Sequence, residues 1–246
     1  MSFKVVIPAR YASTRLPGKP LLEIAGKPMV IWVAAQAVKS LANQVVIATD
    51  FEKIVQVAQH YDVPAVMTRI DHASGTDRIA EVADKMAWAD EDIVVNVQGD
   101  EPLIDPQLIN EVALTLANSP QAVMATACHP IHDEAAFLNP NIVKVVLDTH
   151  SHALYFSRAP IPYPRDDAFK QQITAHRHIG IYAYRVGFLK QYAKLSVTAL
   201  EQIESLEQLR VLHHGYKIAV SITDNAPASG VDTQADLDYV RSVIKA

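Results

Sequence analysis

Four short runs of continuous apolar or β-branched residues, Val5–Ala9, Val45–Thr49, Ala65–Thr68 and Ile93–Gln98, alternate with stretches of helical period at Met29–Val38, Glu52–His60, Ile79–Ala87 and Pro106–Ala117. A strand that is apolar throughout has no face to offer water, so both its faces must be covered. Helices placed between such strands are the natural cover, and the strand–helix–strand order makes neighbouring strands parallel. Ser74, followed three residues later by Asp77, is a helix-start signal between the third and fourth strands. The first half of the chain therefore predicts an α/β fold with a mostly parallel sheet flanked by helices.

The rhythm changes near residue 123. Val123–Ala127, Val143–Leu147, Ala153–Ser157 and Ile179–Tyr184 are strand-like with little helix between them, and Pro160, Pro162 and Pro164 interrupt the chain after the third. This strand-rich, proline-punctuated excursion at about 123–185 reads as an oligomer arm or a substrate wall. Helical period returns at Leu200–His213, with an apolar stripe of Leu200, Ile203, Leu206, Leu209 and Leu212, a capping box of Thr198 and Glu201, and Gly215 as a stop. A strand at Lys217–Ile222 and a helix at Gln234–Ile244 complete the pattern. With no repeat, linker or low-complexity tract, residues 1–246 read as a single domain.

A formal net charge of −5, without a block of like charge, argues against a nucleic-acid or membrane-surface binder. Cys128 is the only cysteine, which excludes an internal disulfide and a thiolate metal cage. The longest apolar run, near Met29–Ala35, is far below the ~20 residues of a membrane span, and the N-terminus has no signal-peptide character. These features predict a cytoplasmic protein.

Ligands of open parallel sheets bind beyond the carboxyl ends of the strands, and the polar residues fall there. Arg10, Arg15 and Lys19 place three cations in the loop after the first strand, enough charge to hold a triphosphate, although neither a Walker A nor a dinucleotide glycine pattern is present. Asp100, after Gly99, and Asp232, after Gly230, are candidate magnesium ligands, since magnesium takes one or two carboxylates plus phosphate oxygens. A turn and a helix cap are the plainer uses of the same residues. Arg69 and Ser74 could bond a base edge, or Ser74 could simply cap a helix. Gly18, Gly75, Gly99 and Gly230 all lie in these four loops, which suggests close approach of backbone to ligand. The pair His213–His214 at a helix end reads as a surface feature.

Taken in order, the segments PARYASTRLPGKP, TRIDHASGTDR, NVQGDEP, YFSRAPIP, HRHIGIYAYR, LEQIESLEQLR and GVDTQADL resemble the 3-deoxy-manno-octulosonate cytidylyltransferase (CMP-Kdo synthetase) family over essentially the whole chain. The resemblance implies a Rossmann-like nucleotidyltransferase fold, a homodimer with its contact near Val123–Tyr184, and transfer of CMP from CTP to the eight-carbon acid Kdo for lipopolysaccharide synthesis. It implies that Arg10, Arg15 and Lys19 neutralise the triphosphate, with Arg15 and Lys19 also stabilising charge on the leaving pyrophosphate. Arg69, Ser74 and Gln98 match positions that recognise cytosine and ribose, and Asp100 and Asp232 match the magnesium ligands. Gln98, Arg158, His178, Tyr182, Glu207 and Gln208 match the sugar side, with Arg158 the expected partner of the Kdo carboxylate. Tyr182, Glu207 and His178 have ordinary uses as well, as a half-buried aromatic, an exposed helix charge and a packed imidazole.

Three rivals remain at this point. One is a cytidylyltransferase for sialic acid or methylerythritol phosphate. Another is a metal-dependent glycosyltransferase, which the absence of an Asp-x-Asp at a strand end disfavours. The third is a nucleotide-binding regulator without turnover.

Overall fold

The computed structural model describes residues 2–12, 16–72, 74–166, 175–224, 226–228 and 230–245. Its strands are β1 (Lys4–Ala9), β2 (Glu23–Ile24), β3 (Lys27–Pro28), β4 (Gln44–Thr49), β5 (Ala65–Met67), β6 (Ile93–Asn96), β7 (Ala122–Pro130), β8 (Lys144–Leu147), β9 (Ala153–Ser157), β10 (His176–Arg185) and β11 (Lys217–Ile222). The helices are α1 (Met29–Val38), α2 (Glu52–His60), α3 (Gly75–Lys85), α4 (Pro106–Ala117), α5 (Glu134–Leu138), α6 (Val186–Tyr192), α7 (Ala199–Glu204), α8 (Gln208–His213) and α9 (Gln234–Val243).

The main sheet runs β11-β7-β10-β6-β1-β4-β5, with β8 and β9 attached beside β10. β5, β4, β1 and β6 are mutually parallel, as the apolar runs predict. β10 enters between β6 and β7 antiparallel to both, so the excursion is threaded into the sheet itself. β2 and β3 form a separate two-stranded hairpin that the sequence pattern does not announce.

Alternate residues of each strand serve opposite layers. Val5, Ile7, Val45, Ile47 and Val95 pack with α1, α2 and α4, whereas Val6, Val46 and Val94 pack with α3, α6 and α8. A smaller cluster of Ile24, Met29, Val231, Leu237 and Val240 fastens α9 and the segment before it to the β2–β3 hairpin and α1. α1 and α2 have the predicted boundaries, and the Ser74–Asp77 capping box starts α3 at Gly75.

The single helix expected over Leu200–His213 is instead two. The Thr198–Glu201 capping box is present, but Ser205 takes the left-handed conformation (φ 52°, ψ 51°) and ends α7. The break lets Arg210 Nε donate to Glu201 Oε2 at 2.8 Å. In an unbroken helix nine residues would separate them by about 13 Å along the axis. The expected apolar stripe holds only in its second half: Leu206 and Leu209 are buried, whereas Leu200 and Ile203 are exposed, Ile203 by 79 %. α5 and α6 are further helices that the sequence reading does not anticipate.

Candidate active site

The site lies past the carboxyl ends of β1 and β6. Gly99 is required there by the protein's own backbone, since a Cβ on it would sit 2.6 Å from the Pro8 carbonyl oxygen. This contact presses the turn after β6 onto the end of β1 and delivers Asp100. Val231 N donates at 2.8 Å to the Asp100 carbonyl, which carries Asp232 to the same place from the far end of the sequence. Gly18, at φ +67°, caps a 3-10 turn over Lys19–Leu21 and aims Lys19 inward.

The three meet. Lys19 Nζ lies 2.5 Å from Asp100 Oδ2 and 3.1 Å from Asp232 Oδ1, and donates at 2.8 Å to the Val231 carbonyl. Burial lowers the Lys19 pKa, but hydrogen bonds and charge from Asp100 and Asp232 outweigh it, so the group sits above its ordinary value. Arg10 borders the same cavity, its Nη2 donating at 2.8 Å to the His72 carbonyl. Glu101 contributes no second charge beside Asp100. Burial, then the Asp100 charge, pushes its carboxyl up to about 8, so it is protonated at neutral pH.

Two carboxylates and a backbone carbonyl around one cation form a set of hard oxygen donors, the kind magnesium takes. Asp100 and Asp232 are the carboxylates that would hold a divalent ion, the rest of its shell coming from water and ligand oxygens. Arg15 lies outside the described residues.

Two cavities adjoin. The charged one, about 370 Å³, is lined by Arg10, Lys19, Gly99, Asp100 and Asp232, and the second, about 320 Å³, by Asn96, Tyr182, Tyr184, Tyr192, Glu207 and Gln208. Gly75 and Gln98 line both and mark the junction. The break at Ser205 brings Glu207 and Gln208 to the second cavity, where Gln208 is buried and Glu207 lines the wall while remaining exposed. Desolvation raises the Glu207 pKa, opposed by Arg210 and assisted by Glu201 and Asp77. No lysine, arginine or histidine lines this cavity among the described residues.

Other expected site residues are placed elsewhere. Arg158 does not border the cavity. Its Nε donates to the Glu204 carbonyl at 2.6 Å, Nη1 to the Pro140 carbonyl at 3.1 Å and Nη2 to the Ser205 carbonyl at 3.4 Å, which ties the excursion to the α7–α8 break. Arg69 is exposed and pairs with Asp71 at 3.2 Å, away from both cavities. The Ser74 hydroxyl is engaged by its capping box, accepting from Asp77 N and donating to Asp77 Oδ2 at 2.9 Å.

His178 stands behind Tyr182, ring centroids 5.4 Å apart, with Nε2 3.0 Å from Thr126 Oγ1. Burial lowers its pKa to about 3, which keeps it neutral. A β-bulge in β10 between Ile179 and Tyr182 turns the Tyr182 ring toward the cavity, and Thr126 Oγ1 bonds the Ile181 carbonyl at 2.7 Å inside it.

Sequence reasoning missed Asn96, Tyr184, Tyr192 and Arg78. Tyr184 shares the strand parity of Tyr182, a signal available in advance, whereas Tyr192 comes from the unforeseen α6. The fully buried Arg78 guanidinium bonds Thr68 and pairs with Asp50 at 2.6 Å, fixing the start of α3, and hence Gly75, to the ends of β4 and β5.

A cytidylyltransferase family model matches residues 4–218. The chain is 44 % identical, over 98 % of its length and 97 % of the other's, to a solved CMP:2-keto-3-deoxy-manno-octonic acid synthetase complexed with CTP, with a TM-score of 0.91. A cytidylyltransferase from Leptospira borgpetersenii serovar Hardjo-bovis (strain JB197) shares the fold at 16 % identity, TM-score 0.63, over 100 % of this chain and 88 % of that one. A cation-centred pair of acids beside a polar cavity without cations among its described lining residues is the arrangement carried by a chain that belongs to the cytidylyltransferase family.

Proposed function

We propose that the protein transfers CMP from CTP to the anomeric 2-hydroxyl of 3-deoxy-D-manno-octulosonate (Kdo), giving CMP-Kdo and pyrophosphate. The observation that carries the reading is the convergence of Lys19, Asp100 and Asp232 beside a separate cation-free cavity. The likeness to a CMP:2-keto-3-deoxy-manno-octonic acid synthetase that binds CTP supports the substrate pair.

In this reading the triphosphate occupies the charged cavity and the sugar acid the cation-free one, so the reacting atoms meet at Gln98 and Gly75. The 2-hydroxyl attacks the α-phosphorus, pyrophosphate leaves in line, and the hydroxyl proton is released. Asp100 and Asp232 would hold magnesium, which when bound would withdraw charge from the phosphoryl oxygens. Lys19 would then have to leave the two carboxylates. Once released it would be free to meet the charge developing on the leaving pyrophosphate, with Arg10 on the same cavity. Electrostatics of this kind act strongly where water is excluded.

The same reading makes the protein a cytoplasmic homodimer that supplies lipopolysaccharide biosynthesis. No described helix is long and apolar enough to cross a membrane. Exposed Leu138, Leu154 and Tyr163 on the excursion support a contact there, and sedimentation showing monomer alone would remove it. The decisive experiment is incubation with CTP, magnesium and a panel of sugar acids, with products identified by mass. CMP-Kdo is expected, and release of pyrophosphate only with sialic acid, or with none of the panel, would end the proposal.

A further inference from the structure

Asn96 is the last residue of β6, held in register between Val6 of β1 and Tyr182 of β10. Strand alternation puts Val95 and Val97 under α1 and α4, and therefore turns Asn96 to the other layer with Val94. An apolar side chain would complete that layer. In its place is an amide, 5 % exposed, on the wall of the cation-free cavity. Its Oδ1 is buried and has no hydrogen-bond partner within the protein.

Gln208, also 5 % exposed and lining the same cavity, has a buried Nε2 with no partner. Buried polar side-chain atoms are nearly always bonded, so two bare ones on one cavity need an explanation. A hydroxyl supplies one, because it donates one hydrogen bond and accepts two. It can donate to an amide oxygen and accept from an amide nitrogen at once, and it satisfies either orientation of the two amides. Polyol acids carry such groups, and a rigid strand end places the acceptor better than a loop.

We infer that Asn96 is a specificity-determining residue for the acceptor, its side-chain amide holding one hydroxyl of the sugar acid. The inference rests on the function proposed above and assigns a residue within it.

The test is Asn96→Leu, close in size and apolar like its neighbours. The KM for Kdo is expected to rise at least ~10-fold while that for CTP moves less than about twofold. The thermal midpoint should hold or increase, since a bare buried amide is gone. A panel of mono-deoxy Kdo analogues supplies the second measurement. The wild type should reject one member that Asn96→Leu accepts as readily as Kdo, the coupling expected of two groups in contact. Should Asn96→Leu fail to fold, Asn96→Ala takes the same panel. An unchanged KM for Kdo, an equal rise for both substrates, or analogue rejection that persists in the variant overturns the inference. If the wild type makes no CMP-Kdo, the proposed function falls and the inference with it. If it does and the variant discriminates as before, only the role of Asn96 falls.

Discussion

The two cavities that meet at Gln98 solve recognition in opposite ways. One gathers formal charges from three remote segments, Lys19, Asp100 and Asp232, and binds them to each other at 2.5 and 3.1 Å. The other carries amides, phenols and one carboxyl, with no cation among its described lining residues. Charge acts at a distance and tolerates modest misplacement, which suits a flexible anionic chain and a metal ion. Hydrogen bonds demand position, which suits a substrate told from its relatives by the placement of hydroxyls. In the proposed reaction this difference would separate catalytic power on one side from selectivity on the other.

The largest effect should come from removing charge in the first cavity. Asp100→Asn and Asp232→Asn are each expected to cut kcat by at least ~100-fold at saturating magnesium. Near-wild-type rates in either would take that residue out of the metal role and blur the contrast between the cavities. A smaller change is expected on Lys19→Met, measured without nucleotide as the dissociation constant for Mn²⁺. With the competing ammonium removed, the metal should bind about 10-fold tighter, equivalent to about 1.4 kcal/mol. Unchanged or weaker binding would show that Lys19 does not occupy the metal's place.

Arg158→Ala should have the smallest effect on recognition. Its guanidinium bonds three backbone carbonyls, so a fall of about 2–6 °C in thermal midpoint is expected, with the ratio of the two KM values unchanged. A selective rise in the KM for Kdo would restore Arg158 as a carboxylate partner and put a cation back into the second region.

The pattern of success along the chain follows the range of the forces involved. The capping boxes at Ser74–Asp77 and Thr198–Glu201 are legible because cap and partner lie three residues apart. The continuous apolar strands are legible because burial on both faces leaves a direct mark on composition. Gly99 lines the charged cavity and is required as well by the Pro8 carbonyl, a contact between strands that composition does not record. The place of Arg158 is hidden for a similar reason. Its chemistry suits a carboxylate, but two of the carbonyls it bonds are presented at the left-handed turn of Ser205, which no local preference announces. Asn96 was visible inside its motif and remained unassigned, since an amide at a strand end acquires meaning only when nothing nearby bonds it.

By itself, the sequence determined the layered α/β architecture and the residue types of the charged cavity, because hydrophobic period and formal charge are properties of local chain. Tertiary structure alone decided that β10 enters antiparallel, that the helix after Thr198 breaks, and that Glu207 and Gln208 consequently face Gln98. Those outcomes depend on pairings between residues far apart in the chain, whose free energies emerge only when the sheet has closed around them.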